Sequence, residues 1–219
     1  MVSNTPAARR RLLLVLVAAL AAANFVGPAR ANKNHVLPPQ ANPKGWSIDD
    51  MAAAVAYFSA SGNDLAFYPD TPFQILYRQG PLQDPTGSNT FRVKPGTFLY
   101  VKFFFINDAP PPLGEFPTDK AGAIDYIFAP DQLGGHDLEL EIDGKVTSLD
   151  DGGYVGGPVA TPGLPDGGSN LIQIGAFIPP LNKGVHQVII RGTFDGDLWD
   201  LVFPGFVFQA EIKYTVIVE

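Results

Sequence analysis

The sequence predicts an all-β protein, an Ig-like or jelly-roll-like antiparallel β-sandwich carrying one N-terminal amphipathic helix. Three observations carry this prediction. Downstream of Asp64 the apolar residues recur with period two, the signature of strands with one wet face. Turn formers are abundant, 23 Gly and 21 Pro, yet hydrophobic residues make up 46% and include 16 Phe, enough for a packed core between frequent turns. Ahead of Asp64 a single segment has helical spacing.

The elements follow in chain order. Residues 1–31 read as an export signal: Arg9, Arg10 and Arg11 close a basic start, residues 12–23 are apolar, and Ala29-Arg30-Ala31 fits a small-x-small cleavage site. The apolar run is too short to span a bilayer, so no membrane span is expected after cleavage. Residues 32–45, with Pro38, Pro39 and Pro43, read as an extended leader, and residues 46–219 as a single sandwich domain. Ser47 stands three residues before Asp50, a capping-box spacing, and Ile48, Met51, Ala52, Val55 and Phe58 follow on one helical face, which predicts a helix over 47–59. Strands are expected at 73–78, 91–93, 98–106, 136–143, 145–149, 171–178, 185–194 and 206–218, with Asp143-Gly144 as a two-residue hairpin turn. The run 98–106 is apolar on both faces and needs cover on both, so the helix is expected across its outer face near Tyr100 and Phe104. Residues 107–135 and 150–169 read as long loops without secondary structure, functional or mobile.

Charge narrows the partners. Cleavage after Ala31 would remove four arginines and no acid, taking the formal charge from −7 to −11 over 188 residues. An acidic surface without clustered Lys and Arg excludes nucleic acid and disfavours anionic membranes. The absence of cysteine excludes disulfides, a thiol nucleophile and thiolate metal sites.

Two segments share a pattern: Phe91-Arg92-Val93-Lys94-Pro95-Gly96-Thr97-Phe98-Leu99-Tyr100-Val101, and Pro180-Leu181-Asn182-Lys183-Gly184-Val185-His186-Gln187-Val188, followed by Tyr214-Thr215-Val216-Ile217-Val218. In this the chain resembles a group of exported bacterial β-sandwich proteins of unknown function, over its C-terminal two thirds. The resemblance implies the fold and carries no chemistry.

Candidate sites are few. His186 shares parity with Val188 and Ile190, so it should point inward and satisfy a turn carbonyl, and no Gly-x-Ser-x-Gly elbow accompanies it. Glu139, Glu141 and Asp143 lie on one strand face, the spacing of a two-carboxylate glycosidase, but on the polar side of a clean alternation they read as solvated. Asp195, Asp197 and Asp200 are weak candidates for Ca²⁺, with an acidic turn as the simpler reading and no catalytic residue or other cofactor expected. Trp199, beside Leu198 and Leu201, reads as core rather than as a sugar platform. These observations point to an exported, non-enzymatic binding or interaction module for an extracellular protein or glycan. The alternative is a carboxylate-dependent carbohydrate-active enzyme.

Overall fold

The structure, a computed structural model, describes residues 35–78, 86–202 and 204–219, with 86–88 and 202 described by backbone alone. The export signal over 1–31 lies outside the described residues. In chain order the elements are α1 (Ile48–Ala60), β1 (Phe73–Leu76), β2 (Thr86–Val93), β3 (Phe98–Asn107), α2 (Lys120–Phe128), β4 (Gly135–Ile142), β5 (Lys145–Ser148), β6 (Val155–Ala160), β7 (Asn170–Ile178), β8 (Gly184–Phe194), α3 (Asp197–Val202) and β9 (Phe208–Val218). The strands form two sheets, in the orders β1-β3-β7-β6 and β2-β9-β8-β4-β5. Leu99, Val101, Ile172 and Ile174 from the first meet Leu140, Val188, Ile190 and Tyr214 from the second in one core.

The sheets are mixed rather than antiparallel throughout. β1 runs parallel to β3 and β2 parallel to β9, each at a sheet edge. The chain leaves the first sheet after β1, forms β2 in the second, and returns as β3 alongside β1. Two changes of sheet within one connection permit a parallel neighbour that a hairpin cannot make.

Ser47 caps α1: its hydroxyl accepts from Asp50 N at 3.1 Å while the Asp50 carboxylate accepts from Ser47 N at 2.9 Å. The Ser47 N–H and the Ser47 hydroxyl, which donates to Asp50 Oδ2 at 2.7 Å, both favour the ionised carboxyl, so Asp50 titrates below the ordinary carboxylate value. Met51, Val55 and Phe58 are fully buried against Tyr100, Ile75 and Phe177. The helix crosses β6 where the chain has Gly156; a Cβ there would stand 2.9 Å from both Ala52 Cβ and Ile48 O.

Tyr100 therefore lies beneath the helix, but Phe104 does not. A bulge between Lys102 and Phe104 shifts the register with β7. Ahead of it Tyr100 faces α1; beyond it Phe104 faces the second sheet and stacks on Phe194, ring centroids 4.3 Å apart. One extra residue reverses the inside and outside of everything that follows.

The supposed loops and leader are also structured. Residues 107–135 hold α2, capped by Asp119, whose side chain accepts from Gly122 N at 2.8 Å. Residues 150–169 hold β6, where Gly156, Gly157 and Pro158 mask the strand pattern. Residues 36–45 dock: Val36 is buried in the inter-sheet core, and Leu37 N donates to Phe177 O at 2.8 Å.

Candidate functional site

Between the sheets, where the edge of the first is incomplete, lies a cavity of about 310 Å³. β1 pairs with β3 only as far as Leu76 opposite Val101, so past that point β3 has no strand on its outer edge among the described residues. The cavity lies beside that stretch of β3. Ser59 and Asn63 from the end of α1, Tyr77 and Arg78 after β1, residues 102–105 of β3, Gln173 of β7, and Phe208, Ala210, Ile212 and Tyr214 of β9 line it. Most of these walls are aromatic or aliphatic, which is the usual make-up of a small-molecule site.

Two basic side chains reach this apolar space. Lys102 Nζ donates to Ser59 Oγ at 3.1 Å and to Asn63 Oδ1, and it sits over the Phe58 ring, 4.9 Å from the centroid, and the Phe105 ring at 5.9 Å. Burial disfavours the ammonium and pushes the amine down to about 7. Arg78 Nη2 is buried without a hydrogen-bond partner among the described residues. Neither side chain forms an ion pair among the described residues. Asn63 ties the two together, since its Nδ2 donates to the Arg78 carbonyl at 2.7 Å while its Oδ1 accepts from Lys102. Gln173 Oε1 is likewise buried without a hydrogen bond among the described residues, while its Nε2 donates to Tyr100 Oη at 2.9 Å. Burial raises the Tyr214 phenol, an effect that nearby Arg78 opposes.

The residues singled out from the sequence lie elsewhere. His186 is buried, with Nδ1 2.7 Å from Asp143 Oδ2 and Nε2 donating to Asn182 O at 2.8 Å. Asp143 is not simply solvated: its other oxygen accepts from Gln187 N at 2.9 Å, and it opens a turn in which Asp143 and Gly144 both have positive φ, 50° and 83°. Nor is Glu141 solvated, because Arg191 binds it through Nη1 at 2.8 Å while binding Glu211 through Nε at 2.7 Å. Alternating residues of three neighbouring strands bring these side chains onto one outer face. Lys213, at 2.7 Å, and Arg191 hold Glu211 below the ordinary carboxylate value, and Glu139 lines the same shallow groove.

Asp195, Asp197 and Asp200 do not converge. Asp195 Oδ2 lies 3.3 Å from His136 Nε2, Asp200 Oδ1 accepts from Gly205 N at 3.0 Å, and Asp197 begins α3. Asp137, 3.0 Å from His136 Nδ1, and Asp195 together raise the titration of that half-exposed histidine. Among the described residues no group of three or more His, Asp or Glu is placed to hold a metal ion. Trp199 stacks on Phe208 at 5.9 Å with an 8° interplanar angle, and Leu198 beside it is buried, while Leu201 is exposed.

Lys102 and Arg78 escape a reading based on motifs. A signal does exist for Lys102, the one charge in the nine-residue run 98–106. Arg78 carries no such signal, because it lies at the end of a short strand. Compared with known proteins, the chain matches no family model, no curated protein and no solved structure, so the cavity is read from its own chemistry.

Proposed function

We propose that the chain is an exported, non-enzymatic binding module whose ligand is an amphipathic anion, a carboxylate with an apolar body. One observation carries the reading: a guanidinium and an amine that a bound anion would keep protonated enter an apolar cavity without a carboxylate partner among the described residues. Buried charges in proteins are ordinarily paired, so an anion would complete this site. Size is consistent, since an apolar cavity of roughly 150 Å³ accepts one benzene and this one is about twice as large. Export is supported by residues 1–31, and the Ig-like or jelly-roll-like character of the scaffold by two facing sheets of four and five strands.

The carbohydrate-enzyme alternative is less well supported. Of its candidate acids, Glu141 is held in an ion pair by Arg191 on an outer sheet face.

Calorimetric titration with decanoate and with uncharged decanol tests the proposal. Decanoate should bind, decanol should bind more weakly, and Lys102→Met and Arg78→Met should each weaken decanoate about tenfold or more while leaving the circular dichroism unchanged. Equal affinity for acid and alcohol, or no binding of either, overturns it.

A further inference from the structure

The environment of Lys102 suits a neutral amine better than an ammonium. A neutral Nζ has two N–H bonds, and two acceptors are in place, Ser59 Oγ at 3.1 Å and Asn63 Oδ1. With both hydrogens engaged, the lone pair is left for the cavity that Lys102 lines. No carboxylate stabilises a third N–H among the described residues. Phe58 and Phe105 flank the nitrogen.

We infer that Lys102 is a covalent capture site, its Nζ forming a reversible imine with an aldehyde whose body is apolar. The inference rests on the reading of the cavity as the ligand site. In the addition step the Nζ lone pair attacks the carbonyl carbon, an N–C bond forms, and the C=O π pair moves to oxygen, which takes up a proton. The carbinolamine then loses one N–H proton and its hydroxyl leaves as water while the nitrogen lone pair makes C=N. Amine and aldehyde thus give imine and water, with no oxidant or reductant. Ser59, the hydroxyl beside Nζ, is a positioning residue placed to relay the proton between nitrogen and oxygen. Desolvation that keeps the amine unprotonated near neutrality supports the same step.

The test is incubation of the purified protein with decanal and cyanoborohydride near neutral pH, followed by peptide mapping. The reductant converts any imine to a stable secondary amine, marking the lysine that formed it. A decyl group should appear on Lys102 on the order of a hundredfold faster than on surface lysines, because an ordinary lysine is neutral in only about one molecule in 10³ near pH 7. Decanoate should block the labelling, and Lys102→Arg should abolish it. Ser59→Ala should slow labelling, and Ser59→Thr, which keeps the hydroxyl, should restore it. Uniform labelling of lysines, or binding of decanoate with no label on Lys102, overturns this inference and leaves the anion reading intact. Selective labelling of Lys102 without decanoate binding supports the capture site and overturns the anion reading instead.

Discussion

Replacing Lys102 with Met converts the desolvated amine into a stability measurement. A lysine that titrates near 10.5 in the unfolded chain and at about 7 in the folded one loses its proton on folding at every pH between those values. The unfolded state binds more protons there, so stability rises with pH across the window. Below about 7 the cost of holding the ammonium is full and constant; it fades as pH approaches 10.5. The displacement from 10.5 to about 7, at about 1.4 kcal/mol per unit, sets a ceiling of about 5 kcal/mol on the pH-dependent part. Met has no such term but orphans Asn63 Oδ1, a pH-independent loss of about 1–3 kcal/mol. Urea unfolding of both proteins from about pH 6 to about pH 10 isolates the lysine, because tyrosines and carboxylates titrate alike in the two and cancel in the difference. The expected curve has the Met variant favoured most at the acid end, with the gap shrinking by several kcal/mol towards the basic end. A gap independent of pH would show that Lys102 keeps an ordinary pKa and is solvated, and the argument for the cavity would lose its central residue.

Three further outcomes are expected. Val55→Asp places a charge on the fully buried face of α1 and should destabilise by about 4 kcal/mol in denaturant unfolding; an unchanged midpoint would mean the helix is detached from the sheet. Glu139→Gln should be nearly neutral, whereas Glu141→Gln removes a partner of half-buried Arg191 and should cost about 1 kcal/mol, so equal midpoints for the two variants would dissolve the ion-pair account. Millimolar calcium should leave the melting temperature unchanged, as expected if Asp195, Asp197 and Asp200 stay apart; a rise abolished by Asp197→Asn would restore a metal site.

What could be read in the chain was local, and what could not was mostly relational. The Ser47 and Asp50 cap, the Asp143-Gly144 turn and the alternation from Phe208 to Val218 each depend on residues a few positions apart, and each is legible. The placement of Phe104 was not, because a bulge is fixed by the partner strand and leaves no mark in an unbroken aromatic run. β6 was hidden for a related reason: Gly156 weakens strand propensity, yet close passage of α1 demands it. The parallel edges could not be inferred from alternation, which reports faces and not neighbours. The candidate site combined both limits. Lys102 stood out as a lone charge in the run 98–106, but its convergence with Arg78 required knowing that β1 stops short.

The position of β9 bears on how the protein is made. Last of the nine strands among the described residues, it lies inside its sheet, hydrogen-bonded to β2 on one side and β8 on the other. A ribosome delivers residues 208–218 after every other strand, at about 5–20 residues per second. Until then β2 has no neighbour in the second sheet, and β4, β5 and β8 form an open three-stranded piece whose inner face lacks Ile212, Tyr214 and Val216. The nascent chain thus has no closed core to fall into early. Its folding is committed by one late insertion event, and a truncation before residue 208 should leave a species that binds chaperones rather than a smaller folded domain.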